Sequence, residues 1–158
     1  AGAKIIDGDT TWHRMGDVGY FDRDGRLWYC GRKSQCVVTA EGTLFTDCVE
    51  GVFNAHPAVA RSALVGVRGQ CGQIPVIVVE PKPGRFPRRR DRKHLALELL
   101  AFAEKTLDRR SETAPRPSVR HVLFHRSLPV DVRHNAKINR EALSTWAGAR
   151  IRQEPGNE

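Results

Sequence analysis

An α+β fold, a small mixed sheet with helices packed on it, is predicted by three features of the chain. Short β-branched and aromatic runs alternate with stretches of helical period, in the order β-β-β-β-α-β-β-α-β-α. Clusters of Gly, Pro and Asp punctuate those runs. No internal repeat is visible, and 158 residues suit a single domain.

Each element has a local reason. In GYFDRDGRLWYCGR, two aromatic-rich runs flank Asp22-Arg23-Asp24-Gly25, a turn sequence whose Gly accepts positive φ, so a hairpin is expected. CVVTAEGTLFT gives a second pair of short strands around Glu41-Gly42. From Asp47 the apolar residues Val49, Val52 and Phe53 recur at helical spacing, with Asp47 as N-cap, Glu50 at the capping-box position and Pro57 beyond the stop. VARSALVGV (59–67) and IPVIVV (74–79) are β-branched runs with weak alternation, which predicts central strands. A Pro/Arg-rich connection, 81–93, leads into a helix of about four turns from His94. A Pro-rich loop spans 111–118, VRHVLFH is a further strand, DVRHNAKIN is a polar stretch after Pro129, and REALSTWA is a short final helix. A boundary near 32–36 would leave the first hairpin to a neighbouring unit.

Composition narrows the class. With 40% hydrophobic and 28% charged residues the chain reads as water-soluble and globular, and no apolar run approaches the ~20 residues that span a bilayer. The opening AGAKIIDGDTTW has no basic leader, no signal-length apolar stretch and no Met, so a piece of a longer chain is expected. Cys30, Cys36, Cys48 and Cys71 form no CxxC pair, which predicts reduced core thiols of a cytoplasmic protein and no metal site. Residues 1–80 carry 8 Lys/Arg against 9 Asp/Glu, a net −1; residues 81–158 carry 18 against 9, a net +9, and the two sum to the chain's +8. The basic half favours anionic partners without selecting one.

Four positions invite chemistry. Asp17 follows Gly16 just before the hairpin; one carboxylate there suits a vicinal diol such as a ribose, or simply caps a turn. Arg32 ends the hairpin, as a clamp for a hydroxyl or phosphate or as a solvated charge. His134, Lys137 and Arg140 recur at three-residue intervals in a loop entering a helix, where Lys137 is either a mobile point charge for carboxylate and phosphate or an ordinary surface Lys. The run RFPRRRDRK, 85–93, is a solvated loop, a contact for coenzyme phosphates, or nucleic-acid footing; one aromatic and no reading helix weigh against the last.

The order of these signals carries a resemblance. WHRMGDVGYFDRDGRLWYCGRKSQ resembles the stretch of adenylate-forming enzymes (acyl-CoA synthetases, luciferases, peptide-synthetase adenylation domains) that runs Tyr-Arg-Thr-Gly-Asp, hairpin, Gly-Arg-x-Asp. VEGVFNAHPAVARSALVGV is similar to the family's Ile-Glu-x-x-Leu-x-x-His-Pro motif at Glu50, His56 and Pro57 and beyond it at Val59, Val65 and Gly66. LPVDVRHNAKINREAL resembles the closing motif Pro-x-x-x-x-Gly-Lys-x-x-Arg at Pro129, Lys137 and Arg140, with Ala136 for Gly and two extra residues before the Lys. Within the family, HNAKI after PVDVR, with WHRMGDVGYFD and AEGTLFT, looks most like the olefin-biosynthesis branch, the β-lactone synthetases.

The resemblance implies a division into residues 1–33, the last strands and hairpin of a large N-terminal adenylation domain; 34–152, a C-terminal lid; and 153–158, a tail. It implies that Asp17 binds the ribose of ATP and that Arg32 helps hold the nucleotide. Lys137 would meet the acyl carboxylate and the phosphate oxygen during adenylation, with His134, Asn135 and Arg140 as further phosphate or substrate contacts. Ser34 stands at the hinge, where the family usually has Asp or Lys. ATP and Mg²⁺ are the implied cofactors, bound mainly by the absent domain. The implied reaction activates a β-hydroxy fatty acid as acyl-AMP and closes it to a β-lactone, while the fragment alone is inactive. Other olefin-pathway enzymes, notably a β-lactone decarboxylase, are the implied partners. The alternatives are a fatty acyl-CoA synthetase lid that uses CoA, and a basic binding module.

Overall fold

The computed structural model describes residues 4–108, 119–131 and 137–151. Two hairpins come first. β1 (Lys4–Asp7) and β2 (Thr10–His13) pair antiparallel through a tight turn. This pair lies within the 1–33 segment, but its short, half-polar strands gave no alternation to predict it. β3 (Asp17–Phe21) and β4 (Leu27–Arg32) form the expected hairpin and place Asp17 opposite Arg32. Its turn is closed by one side chain. Asp22 Oδ2 accepts from Trp28 Nε1 at 2.7 Å and Arg26 Nε at 2.8 Å, while Oδ1 accepts the amides of Asp24 and Arg26. The indole N–H first, and the Arg26 guanidinium second, pull the Asp22 carboxyl down to about 2. Trp12, Tyr20, Phe21, Leu27, Trp28 and Tyr29 stand exposed on these hairpins.

A short 3₁₀ turn (Lys33–Gln35) leads into β5 (Val37–Thr39) and β6 (Gly42–Leu44), the second predicted pair. Helix α1 (Thr46–Asn54) starts one residue before the expected cap. Phe45 holds the N-cap position without a side-chain bond, so Asp47 lies inside the first turn, where its charge still suits the helix's positive end. The capping box does not form, because the Glu50 carboxylate is drawn elsewhere. Gly31 explains how β4 approaches α1 so closely. Its φ is +120°, and a Cβ there would sit 2.5 Å from Thr46 Oγ1.

The centre is a three-stranded mixed sheet. β7 (Val59–Arg68) runs antiparallel to β8 (Gln73–Pro81), and β9 (His121–Phe124) joins the other edge of β8 in parallel. Leu64 lies opposite Ile77, and Ile77 opposite Val122. The weak alternation seen in sequence has its reason here, since both faces are covered. On one face Leu64, Ile77 and Val79 pack with Val49, Val52 and Phe53 of α1 and with Leu99 of α2 (Arg92–Asp108). On the other, Ala63, Val65, Val67, Val76 and Val78 meet Leu143, Ala147 and Ile151 of α3 (Arg140–Ile151). Each fully buried Leu or Ile contributes roughly 1.5–3 kcal/mol.

Several expectations shift. Helix α2 begins two residues before His94, and α3 continues past Ala147 to Ile151, because the spacing of Leu143, Ala147 and Ile151 extends its apolar stripe. The polar stretch after Pro129 contains a short hairpin, β10 (Val130–Asp131) with β11 (Lys137–Ile138). The Pro-rich loop 111–118 lies outside the described residues. All four cysteines are free thiols, but only Cys30 is fully buried; Cys48 and Cys71 are exposed, which corrects the core reading for those two. No helix among the described residues is long and apolar enough to cross a membrane.

The two glycines nearest the start of α1 should respond oppositely to one methyl group. Gly31→Ala combines a positive φ with a clash against the buried Thr46 hydroxyl and should lower unfolding stability by at least about 2 kcal/mol. Gly51→Ala, in the helix with nothing within 4 Å of the new Cβ, should raise it by about 0.5–1 kcal/mol. Urea midpoints of the two variants check both signs.

Candidate functional site

The candidate residues fall into two groups joined by a third. The first sits where β4 meets the 3₁₀ turn. Antiparallel pairing sets Asp17 across from Arg32, and Arg32 Nε meets Asp17 Oδ1 at 3.0 Å. Arg32 Nη1 donates to Met15 O at 2.6 Å, and the Lys33 amide donates to Gly16 O at 2.8 Å. Both side chains remain partly exposed. Among the described residues, Asp17 Oδ2 accepts no hydrogen bond, so one carboxylate oxygen is oriented by Arg32 while the other stays open. Ser34 lies exposed in the 3₁₀ turn between β4 and β5.

The second group is the β10–β11 hairpin. Lys137 is exposed on β11, in register with Asp131 across the pair, and its ammonium forms no ion pair among the described residues. The strand beneath it is well anchored. The Asn139 amide donates to Pro129 O at 2.8 Å, and Asn139 Oδ1 accepts the Ala142 amide at 3.0 Å, which makes Asn139 the N-cap of α3. His134 and Asn135 lie outside the described residues. No hydrogen bond or ion pair joins Lys137 to Asp17 or Arg32 among the described residues.

Arg140 connects the two groups. Its Nη1 and Nη2 form a bidentate pair with the Glu50 carboxylate, Nη2 at 3.1 Å from Oε2. Nη1 also donates to Leu64 O at 3.1 Å, and Nε to Gln35 Oε1 at 3.2 Å. Glu50 Oε1 accepts the Leu64 amide at 2.7 Å. Every guanidinium nitrogen of Arg140 therefore faces a protein partner, and its side chain is only 18% exposed. Expected as a phosphate or substrate contact, Arg140 in this conformation has its guanidinium engaged by Glu50, Leu64 and Gln35. It ties the turn that holds Ser34, helix α1, strand β7 and the start of α3 into one knot.

Gln35, Glu50 and Asn139 were missed as site-forming residues. A signal existed for Glu50, since a carboxylate amid Val49, Val52 and Phe53 is rarely buried unless paired. Glu80 is a further missed anchor: it accepts from Arg61 Nη2 at 2.8 Å and from the Leu128 amide at 2.7 Å, just ahead of β10. Burial raises its carboxyl, but the Leu128 amide and the Arg61 guanidinium outweigh that and hold it below its ordinary value. An open cleft of about 430 Å³ lies between the β5–β6 and β7–β8 turns, lined by Thr39, Glu41, Gly72, Gln73, Arg120 and His121 among others. The basic run 85–93 makes no hydrogen bond or ion pair with Asp17, Arg32 or Lys137 among the described residues.

Known proteins share this sequence pattern and fold. The signature of the AMP-binding enzyme C-terminal domain matches residues 48–131, just over half of the chain. The chain is similar to the olefin beta-lactone synthetase of Stenotrophomonas maltophilia (strain K279a), 48% identical over 156 residues that cover 96% of this chain and 26% of that protein. It is also similar to a 4-chlorobenzoate–CoA ligase from Arthrobacter sp, 31% identical over 162 residues, covering 99% of this chain and 26% of that one. Its fold superimposes on the amide bond synthetase McbA from Marinactinospora thermotolerans with a TM-score of 0.67 at 27% identity, over 89% of this chain and 26% of that structure. The chain thus spans about a quarter of the length of these relatives.

Removing one half of the buried pair should cost far more than removing its charge from both sides. Arg140→Met strands Glu50 without a countercharge and should destabilise by about 3–5 kcal/mol; adding Glu50→Gln, which still accepts the Leu64 amide, should recover about half. Thermal and denaturant unfolding of the two variants measures this. The lowered Glu80 carboxyl contributes stability that is present above its unfolded value of ~4.3 and lost as pH falls through the folded value. Glu80→Gln should therefore flatten the acid limb of the stability–pH curve relative to the parent; an unchanged limb would remove Glu80 from this role.

Proposed function

Because the chain belongs to the family of AMP-binding enzyme C-terminal domains, we propose that it is the mobile lid of an ATP-dependent ligase, together with the last hairpins of the larger adenylation domain. The ligase activates a β-hydroxy fatty acid as its acyl adenylate and closes it to a β-lactone. The division near residue 33 is supported by the exposed aromatic faces of the two hairpins, which suit burial against more of the same polypeptide.

The observation that carries the reading is Lys137, an exposed cation on a hairpin whose base is fixed by Asn139 and Arg140. In the proposed first step the substrate carboxylate attacks the α-phosphorus of ATP, a new P–O bond forms and pyrophosphate leaves. Negative charge grows on the phosphorus oxygens, and the Lys137 ammonium lowers that barrier while holding the acyl carboxylate. Asp17, oriented by Arg32, offers its open oxygen to the ribose hydroxyls, and Arg32 helps hold the nucleotide. His134 and Asn135 serve as further phosphate or substrate contacts. Mg²⁺ accompanies the ATP phosphates and is held with them chiefly by the larger domain.

In the second step the substrate's own β-hydroxyl attacks the acyl carbon. The C–O bond of the ring forms, the acyl–phosphate bond breaks, AMP leaves, and the hydroxyl proton is released. An internal nucleophile gains the proximity advantage of an aligned intramolecular reaction. Rotation about Ser34 between the steps would carry Lys137 away, and a Ser there keeps hydrogen bonding without charge. The reaction is assigned to the cytoplasm, with other olefin-pathway enzymes as partners. Likeness to the 4-chlorobenzoate–CoA ligase favours a second reading, transfer of the acyl group to CoA.

The complete polypeptide, given ATP, Mg²⁺ and a 2-alkyl-3-hydroxy fatty acid, should yield a product lighter than the acid by one water, with or without CoA. A CoA thioester instead would select the second reading. Lys137→Ala should slow pyrophosphate release by about two to three orders of magnitude without shifting the unfolding midpoint. The 158-residue chain alone should release no pyrophosphate; release from it would contradict the division proposed here.

A further inference from the structure

One strongly charged surface is left over by that reading. Residues 82–93 hold Lys82, Arg85, Arg88, Arg89, Arg90, Arg92 and Lys93 against the single carboxylate of Asp91, a net +6 of the chain's +8. All seven cations are exposed. Among the described residues their one ion pair is Arg90 Nε to Asp91 Oδ1, at 3.6 Å. Such crowding of like charge is self-repulsive, and among the described residues only the Arg90–Asp91 pair relieves it.

The segment is nevertheless held in shape. The Lys82 amide donates to Ala58 O at 2.9 Å, the Arg85 amide to Lys82 O at 2.9 Å and the Asp91 amide to Arg88 O at 2.9 Å. Pro87 is buried, and Phe86 packs on the core beneath α2. The Phe86 ring lies under the Arg92 guanidinium, 5.5 Å from its centroid, and under that of Arg126, at 4.8 Å. Arg126, exposed just after β9, thereby adds an eighth cation. The result is a fixed platform of cations.

Its chemistry selects among polyanions. Six of the eight cations are Arg, whose planar fork matches phosphate oxygens. Single-stranded nucleic acid is bound by stacking bases on aromatic faces, and the run's one aromatic is half-buried and engaged by two guanidinium groups. Leu97, 58% exposed, stands one turn beyond Lys93 on the outer side of α2. An apolar tip beside phosphate-matching cations suits the boundary between headgroups and acyl chains.

We propose that the 82–93 platform, with Arg126 and Leu97, is a docking surface for an anionic phospholipid bilayer. The contact is peripheral and electrostatic, and would hold the domain at a surface where long-chain acids partition. It does not depend on which acceptor the ligase uses.

The test is co-sedimentation of the 158-residue chain, and of the complete polypeptide, with phosphatidylglycerol/phosphatidylcholine vesicles. Binding is expected to the anionic vesicles and not to phosphatidylcholine alone, and to weaken at least about tenfold when salt rises from about 0.1 M to about 0.5 M. Arg89→Glu/Arg90→Glu should weaken it at least about tenfold, while Arg68→Glu/Lys105→Glu, the same charge change elsewhere on the surface, should weaken it less than about threefold. Unfolding midpoints of both double variants should match the parent, since all four side chains are exposed. Equal loss in the two double variants, or no binding to anionic vesicles at low salt, would overturn the proposal. So would displacement by free glycerol phosphate at millimolar levels, which would indicate a soluble phosphate site, or tighter binding to duplex DNA than to vesicles.

Discussion

Glu50 and Arg140 can share a nearly dry site only because each completes the other. Removing a carboxylate and a guanidinium from water is expensive unless the geometry is bidentate and the remaining donors and acceptors are satisfied. Both conditions hold here. The Leu64 amide and carbonyl meet the outer atoms of the pair, and Gln35 takes the last guanidinium nitrogen. The pair lies at the open edge of the mixed sheet's first strand, on the amide and carbonyl of Leu64, so α1 and α3, which cover opposite faces, are tied through the same residue of β7. The turn at Gln35 and the start of α3 depend on this contact for a shared anchor.

That dependence gives the proposed chemistry its division of labour. Asp17 and Arg32 sit before the 3₁₀ turn and orient one another across a strand pair. Lys137 sits beyond the sheet, three residues ahead of Arg140. Gln35, next to Ser34, is the point where the knot touches the proposed hinge. A rotation about that turn would move Lys137 as one body with the sheet and helices and leave Asp17 where it was, which is what a reaction with two successive needs at one site requires.

Much of this fold was legible in the residues. The runs 59–67 and 74–79 announced buried strands because β-branched side chains filled both faces, and the Asp-Arg-Asp-Gly turn announced its hairpin by chemistry confined to a few residues. Helix ends were read less well: Asp47 looked like a cap, but Phe45 holds that position and the helix starts two residues earlier than the cap reading implied. The β10–β11 hairpin was invisible because DVRHNAKIN has no apolar alternation; its ends are anchored by Glu80 on the Leu128 amide and by the Asn139 amide on Pro129 O. The role of Arg140 was hidden for the same reason at longer range, as its partner lies 90 positions away in the chain. Lys137 and Asp17 were singled out by pattern, and their surroundings were not legible.

The side chain of Asp22 has a consequence of another kind. Its four accepted hydrogen bonds all come from residues within six positions along the chain. Hairpins that short form on the microsecond scale and at small entropic cost of closure, whereas the charge pair at the edge of β7 must wait for α3 to arrive. The molecule therefore acquires its order from two directions: a ribbon whose turn is closed by neighbours in the chain, and a body in which the α1 carboxylate meets its guanidinium only once α3 is in place.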